Sequence, residues 1–347
     1  MVDGLQTLGR IQTVLGAIAP DDLGVTLPHE HLLIDTSVWF REPEDEQERL
    51  LAHQPVSAEN MGWVRYHPMS SLDNARLMDE RVAVEEATRY RDAGGDSIVE
   101  LTPIGVGRHP EALVRIARET GLNIIMGSSY YVEPAIPEGL DADLMTERIV
   151  ADIREGVADT GIQAGIIGEV GVQSPIGRKE RLSLQAAARA QRETGAAINV
   201  HPARCADSPF ECLEILDREG ARLDRVIMSH IDSTIPDHET RVKLARTGCY
   251  VEYDLFSFEG WSPLYPDLPN DSERVNQLMM LIDEGFLHQL LISHDHCRKF
   301  RLYRYGGPGY AHILMNVRPM AFAKGMTREQ MNAIMVENPK TALVINR

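Results

Sequence analysis

A regular alternation of short apolar runs with longer amphipathic stretches extends over most of the chain and constrains the fold most strongly. Apolar runs of four or five residues are typical of buried parallel strands, and several of the amphipathic stretches end at a glycine. Strands are predicted near 25–28 and at 97–101, 123–126, 164–167, 197–200, 226–229, 250–253 and 290–293, and helices at 73–93, 110–120, 144–157, 179–194 and 209–219. Eight such units favour a (β/α)8 TIM barrel or a doubly wound α/β sheet.

Three segments interrupt this regular pattern. Residues 9–20, within an N-terminal segment 1–22, predict a β-hairpin placed before the barrel. Residues 36–71, after the first strand, and 256–271, after the seventh, are long and rich in proline and aromatic residues. Loops of this length in a compact domain usually form lids over a functional site. We therefore expect a single barrel domain over residues 1–347 with two lid loops and no linker.

Composition limits the classes of partner. The 52 acidic and 35 basic residues give a formal net charge of −17, which disfavours nucleic acid and anionic membrane surfaces. Residues 1–15 lack the basic start and continuous apolar core of a signal peptide, so we expect no leader there. No apolar stretch approaches the roughly 20 residues needed to span a bilayer. Its four scattered cysteines are typical of reduced thiols. These features predict a cytoplasmic protein with a small-molecule substrate, and they leave a homodimer open.

The position of metal-binding residue types decides between the two folds. Residues with imidazole or carboxylate side chains lie at the ends of predicted strands one, four, five, six and eight: His29, His31, Glu169, His201, His230 and Asp295. The carboxyl ends of barrel strands form the face on which barrel enzymes carry their active sites. His29 and His31 are two residues apart in an extended segment, so both imidazoles face the same side. This arrangement favours the barrel and predicts a metal site at its mouth.

Imidazole and carboxylate together suit a pair of divalent cations. Neutral imidazole binds zinc and similar ions, and a carboxylate can bridge two ions while offsetting their charge. Two such metals can share a hydroxide that is nucleophilic at neutral pH. Zinc is the first expectation for both metals, and manganese, cobalt or iron fits the same ligands. A rival barrel chemistry through a Schiff base needs a lysine at a strand end, and none of the five lysines is predicted there.

The order of these six residues, HxH…E…H…H…D, resembles the phosphotriesterase family of the amidohydrolase superfamily. The resemblance begins with GRIQTVLGAI and GVTLPHEHLLID and continues to RYGGPGYAHI and ENPK near the C-terminus. The two C-terminal segments are most similar to the branch of phosphotriesterase-related and phosphotriesterase homology proteins. The resemblance implies that His29, His31 and Asp295 bind a more buried metal. It also implies that His201 and His230 bind a more exposed one.

Two differences from phosphotriesterase itself affect these expectations. Its bridging ligand is a carbamylated lysine, whereas this chain has Glu169 in GEVG and no lysine nearer than Lys179. After strand seven the chain has Leu255 following Asp254, where organophosphate-degrading members have a histidine. The proton relay of those members is therefore incomplete, and we do not expect phosphotriesters to be the natural substrate.

The predicted function is hydrolysis of a small-molecule lactone or carboxylic ester by the shared hydroxide, with Asp295 as the catalytic proton acceptor. Amide hydrolysis of an N-acylated small molecule, phosphoester hydrolysis and a non-enzymatic ligand-binding role remain the alternatives. Four further residues are weaker candidates for substrate contact: Tyr130, Tyr131, Asp232 and Arg298. Apart from the metals, no cofactor is expected.

Overall fold

The computed structural model describes residues 8–259 and 268–346 and contains eight parallel strands, which we label β1 to β8. They are β1 (Thr26–Glu30), β2 (Ser97–Glu100), β3 (Asn123–Met126), β4 (Ile167–Gly171), β5 (Ile198–His201), β6 (Val226–Met228), β7 (Tyr250–Tyr253) and β8 (Leu290–Ile292). Strands β1 to β3 pair in sequence order, as do β4 to β8. A parallel bridge from Gly127 to Ile166 joins the two sets on one side. On the other side the Asp295 amide donates to the His29 carbonyl at 3.2 Å, so the predicted (β/α)8 barrel is confirmed.

Helices separate the strands and cover the barrel. The longer ones are Glu80–Asp92, Pro110–Thr120, Ala142–Arg154, Arg178–Thr194, Ser208–Arg218, His238–Ala245 and Asp271–Asp283. After β8 the chain forms further helical segments at Ile313–Val317, Arg318–Ala323, Arg328–Asn332, Ala333–Glu337 and Asn338–Leu343. Two of the glycines that follow predicted helices, Gly121 and Gly195, end those helices in the left-handed conformation, with φ of 76° and 78°. Glycine adopts this conformation without steric cost.

The apolar residues form two layers, as parallel strands buried on both faces require. The inner layer fills the barrel with side chains that include Val99, Leu101, Ile125, Ile166, Ile227 and Leu291. Ile11 and Leu23 from the N-terminal segment and Leu343 from the last helix belong to the same cluster. The second, larger layer lies between the strands and the surrounding helices. The inner layer supports the barrel mouth from below, so the strand ends have little freedom to move.

Strand four and the first long helix differ from their predicted bounds. The strand was predicted at 164–167 but forms at Ile167–Gly171, so Glu169 lies inside it and not after it. A Cβ added at Gly168 would come within 2.8 Å of the Asn199 side chain in β5, so only glycine fits at this position in the strand. In the sequence the same glycine suggests a turn, and the strand was therefore predicted to end too early. The helix predicted from residue 73 begins only at Glu80, after the N-cap Asp79. Residues Arg76–Leu77 pair instead with Ile34–Asp35 as a short antiparallel ladder.

The N-terminal segment and the segment 36–71, which interrupt the regular pattern, contain secondary structure of their own. The hairpin forms from Ile11–Thr13 and Gly16–Ile18, and residues 1–7 of the predicted segment 1–22 lie outside the described residues. The segment 36–71 contains the α-helices Glu46–Ala52 and Met61–Tyr66 and a 3-10 turn at Ser37–Trp39. Of the predicted lid 256–271, residues 260–267 lie outside the described residues. No helix within 8–259 or 268–346 combines the length and the apolar character needed to cross a membrane.

Candidate metal centre

Three of the predicted ligands meet where β8 returns to β1. His29 lies in β1, His31 follows its last residue, and Asp295 follows β8. One ligand atom from each of the three lies within 4.8 Å of the others. The His31 Nε2 atom is 3.2 Å from Oδ1 of Asp295. All three residues are buried, so these atoms face one another in a space largely closed to solvent.

A second group of three forms on β4, β5 and the turn after β6. Oε1 of Glu169 lies 2.6 Å from Nδ1 of His201 and 3.0 Å from Nε2 of His230. The two ring nitrogens are themselves 2.8 Å apart. His230 reaches this position with a φ of 58°, in the left-handed region that non-glycine residues rarely adopt. The three side chains therefore converge on one point beside the first group.

Glu169 is the residue that connects the two groups. Its Oε1 atom lies 3.5 Å from Nε2 of His29, and its Oε2 atom lies 3.9 Å from Nε2 of His31. The carboxylate thus contacts one group directly and reaches the edge of the other. A carboxylate offers two oxygens and is suited to bridging two cations. The resemblance to the phosphotriesterase family implies a bridging role for this residue, and its position between the two groups suits that role.

The far nitrogens of the histidines are held by buried acidic and hydroxyl groups. Asp254, directly after β7, lies 2.6 Å from Nδ1 of His230 and 3.1 Å from Nδ1 of His29. Glu252 lies 3.1 Å from Nδ1 of His29, and the Thr102 hydroxyl lies 3.0 Å from Nδ1 of His31. Such partners fix the tautomer and leave Nε2 available as a ligand atom.

Sequence reasoning did not assign these outer partners. Asp254 entered the sequence analysis only because Leu255 follows it. Its own position directly after β7 would have indicated a role in the metal centre. A carboxylate at the end of a barrel strand belongs to the same pattern as the six predicted ligands. Glu252 and Thr102 gave no comparable signal, since both have ordinary roles in or beside a strand.

The pKa shifts show that the centre attracts positive charge. Burial opposes protonation of His230, but the Asp254 carboxylate raises the pKa of His230 to about 9. Burial also favours the neutral form of Asp254, yet the imidazoles of His230 and His29 hold the pKa of that carboxyl far below its usual range. By contrast, burial lowers the pKa of His201 to about 4, and Glu169 offsets only part of this effect. The buried carboxylates therefore favour a positive charge at this centre.

The donor set fits divalent cations. Nε2 of His29 is buried without a hydrogen-bond partner in the described part of the chain, although Nδ1 of the same ring is fully engaged. A buried polar atom of this kind is costly unless something binds it. Four imidazoles and two carboxylates are also the ligand types that zinc and related ions prefer.

A cavity of about 380 Å³ opens above the centre. Glu169, His201 and Asp295 are at its floor, and its walls come mainly from aromatic, apolar and arginine side chains. Two of the four candidate substrate residues, Tyr131 and Arg298, line this cavity. The Tyr131 hydroxyl lies 3.5 Å from Nε2 of His201.

The other two candidates, Tyr130 and Asp232, do not line the cavity, and their predicted substrate contact needs correction. Tyr130 is buried in the apolar layer around the barrel, because the alternation that points Tyr131 inward points its neighbour away. Asp232 forms a buried ion pair with Nε of Arg274 at 2.6 Å and also accepts the Leu255 amide. Both are therefore packing or scaffold residues.

The model of the phosphotriesterase family matches residues 9–343, and the chain belongs to that family. Its fold and metal-binding side chains are those of a metal-dependent hydrolase, as the sequence predicted.

Among individual proteins, the chain is 39% identical over 346 residues to a phosphotriesterase-related protein from Nematostella vectensis, covering 97% of this chain and 99% of that protein. It is 40% identical over 339 residues to an N-acetyltaurine hydrolase from Danio rerio, covering 96% and 97%.

Solved structures are also similar to this chain over nearly its whole length. A resiniferatoxin-binding protein from Rhodobacter sphaeroides is 35% identical, with a TM-score of 0.94 and coverage of 96% of this chain and 95% of that one. A lactonase from Listeria monocytogenes is 25% identical, with a TM-score of 0.80 and coverage of 97% and 100%.

Proposed function

We propose that this hydrolase cleaves the amide bond of a small N-acylated molecule. The observation that carries the proposal is the position of Glu169, which contacts two groups of metal-ligand side chains at the floor of a small cavity. This arrangement supports hydrolysis but does not choose the bond. The bond type is supported by N-acetyltaurine hydrolases that share about two fifths of their residues with nearly the whole chain.

Two divalent cations, zinc by first preference, would be held by the six residues already described. His29, His31 and Asp295 would hold one, His201 and His230 the other, and Glu169 would contribute to both. When bound, such cations supply an activated water nucleophile at neutral pH and polarise the attacked carbonyl group.

The chain's own residues supply the proton chemistry and the enclosure. Burial raises the pKa of Asp295, but the neighbouring imidazoles, first among them His31, lower it overall, so this carboxylate is ionised at neutral pH. It can accept a proton from the attacking water and donate it to the leaving amine. The Tyr131 hydroxyl, beside His201, is placed to donate to a substrate oxygen at the floor of the cavity.

The proposal is tested by measuring bound metal per chain and screening hydrolysis before and after chelation. The panel contains N-acetyltaurine, N-acyl amino acids, lactones, aryl esters and phosphoesters. We expect about two metals per chain and amide cleavage that is lost on chelation and restored by metal. Cleavage of lactones or esters without amide turnover would overturn the proposed bond type.

The second candidate is hydrolysis of a lactone or carboxylic ester, the first expectation from the sequence. It is supported by the structural likeness to the Listeria lactonase, at lower identity than the N-acetyltaurine hydrolases. A ligand-binding role is supported by the likeness to the resiniferatoxin-binding protein from Rhodobacter sphaeroides. Turnover of any substrate in the same screen would favour the enzymatic proposals over this role.

A cytoplasmic location and a homodimeric state stay predictions. The second is measured by light scattering on the metal-loaded protein.

A further inference from the structure

Arg298 is a buried cation without an acidic partner in the described part of the chain. Only 6% of the surface of Arg298 is exposed to solvent, and its side chain lines the cavity above the metal centre. The one hydrogen bond that its guanidinium makes to a described residue goes to the thioether sulfur of Met69, at 3.0 Å. A thioether is a weak acceptor, so most of the five guanidinium N–H donors are left for another ligand. Burying a charge in this way is costly unless an anion arrives to pair with it.

Of the other arginines that line the cavity, Arg41 is exposed to solvent and Arg204 donates to the Ser233 hydroxyl at 3.2 Å. The cations that follow Arg298 in the chain are engaged within the loop after β8. Arg301 also lines the cavity, but its guanidinium donates to the backbone carbonyls of Asp295 and Phe256 and to the Ser257 hydroxyl. Lys299 pairs with Asp73 at 2.7 Å. These side chains hold the loop after β8 in place, which separates their role from that of Arg298.

The backbone around Arg298 is fixed by the segment that follows the first lid. The Lys299 amide donates to the Asn74 carbonyl at 3.1 Å, and the Phe300 amide donates to the Asn74 side chain at 3.0 Å. Arg298 is only three residues from Asp295, and both line the same cavity. The guanidinium is therefore presented to whatever occupies the space above the metal centre, and little ordering is needed on binding.

We propose that Arg298 binds an anionic group of the substrate, a sulfonate or carboxylate joined by a short linker to the scissile amide. This inference rests on the proposed amide hydrolysis and names its substrate class. The planar guanidinium matches two oxygens of such a group, which a lysine does not. Trp39, Tyr131 and Phe300 line other parts of the wall and suit the uncharged acyl portion. Arg298 thus selects the substrate, while the metal centre performs the reaction.

Direct binding tests this role without requiring turnover. Propane-1-sulfonate is titrated into the metal-loaded protein, and its dissociation constant is measured by NMR for the wild type, Arg298→Gln and Arg304→Gln. Arg304 is a matched control because it belongs to the same loop but pairs at the surface with Glu85, outside the cavity. We expect Arg298→Gln to weaken binding by roughly 10–100-fold, as for loss of a charged hydrogen bond, and Arg304→Gln to leave it unchanged. Equal binding by Arg298→Gln and wild type, or no binding by the wild type, would overturn the inference.

Kinetics provide the second measurement, with N-acetyltaurine compared with its neutral analogue N-acetylethanolamine. Arg298→Gln should raise KM for the anionic substrate with a smaller change in kcat, and it should leave KM for the neutral one nearly unchanged. Arg298→Lys, which keeps the charge but not the planar fork, should recover part of the loss and also serves if Arg298→Gln does not fold. A KM increase that is equal for both substrates would contradict the role. Arg298-dependent sulfonate binding by a wild type that cleaves no amide would support the anion-binding role of Arg298 and overturn the proposed amide hydrolysis.

Discussion

The floor of the cavity comes from barrel strands, whereas much of its wall comes from the segments 36–75 and 298–305. Every histidine of the metal centre below this floor lies on a strand or at most two residues beyond one, and His29, His31 and His230 have a buried partner on Nδ1. The wall is held by a small separate cluster, in which Val56 and Val64 pack on Phe300, and by the Lys299–Asp73 ion pair. The floor is thus part of the main scaffold, whereas the wall is held largely by a cluster and an ion pair of its own.

This difference separates two properties of the enzyme. Strand ends supported by a packed interior hold ligand atoms in fixed positions, which metal binding requires. Loops can change residues with less effect on the barrel, so substrate choice is usually located there. Changes in the floor should therefore alter metal content and all reactions together. Changes in the wall should alter the preference among substrates and leave metal content constant.

The largest effect is expected from Glu169→Gln. Outer partners of metal ligands typically contribute about 10–100-fold to activity, so loss of the shared ligand should reduce kcat/KM by more than about a hundredfold. Elemental analysis should also show less metal per chain. The control is Glu138→Gln, which removes an exposed carboxylate paired with Lys179 and should change neither quantity. Full activity and two metals in Glu169→Gln would break the distinction between floor and wall.

Asp254→Asn should weaken metal binding by roughly 10–100-fold, because the amide no longer holds Nδ1 of His29 and His230 in the same way. A titration against a competing chelator measures the change. Asp152→Asn is the control, since Asp152 is equally buried but pairs with Arg108 and Arg148. Both variants should lower the Tm, and unchanged metal affinity in Asp254→Asn would show that Asp254 only stabilises the fold.

Stability against pH should differ between the metal-free and metal-loaded forms. In the metal-free protein the pKa of His230 is raised to about 9 by Asp254, and the pKa values of His29 and His31 are also raised. The stability that these protonated residues contribute is complete below the unfolded pKa of about 6.5 and is lost as pH rises through the folded values.

The Tm of the metal-free form should accordingly fall between pH 7 and pH 9. The metal-loaded form should change less, because bound metal keeps the imidazoles neutral throughout. Scanning calorimetry at both pH values measures the difference. Parallel curves for the two forms would argue against metal binding by these histidines.

The smallest effect is expected from Lys299→Met, which removes the ion pair with Asp73 in the wall. A partly exposed pair contributes up to about 1 kcal/mol, so KM should rise no more than roughly fivefold while metal content stays constant. The control Lys243→Met removes an exposed pair with Glu239 and should leave KM unchanged. Loss of metal in Lys299→Met would show that wall and floor are coupled.

Much of the barrel could be predicted because its signals are local. Four apolar residues between turn signals describe a buried strand wherever they occur, and β3 and β7 have their predicted bounds. Strand four was displaced because the reason for its glycines is non-local: Gly168 faces Asn199 of the adjacent strand. The late start of the helix at Glu80 has a similar cause. Asp73 accepts from Val56 and Lys299, and Arg76–Leu77 pair with a distant segment.

Local sequence signals were sufficient to identify the residue types at the ends of the strands. They therefore placed six ligand-type residues at one face of a barrel. The end of a strand can be recognised from local sequence. Because the carboxyl ends of all barrel strands lie on one face, residues at these ends are expected to be close in space. Three-dimensional packing was needed to show that Glu169 reaches both groups and that Asp254 holds two histidines. It was also needed to show that Arg298 lines the cavity while Asp232 pairs with Arg274. These facts depend on distances between residues far apart in the chain and on rare backbone conformations such as the positive φ of His230 and Asp295. Local preference disfavours such conformations, and only the packed surroundings maintain them.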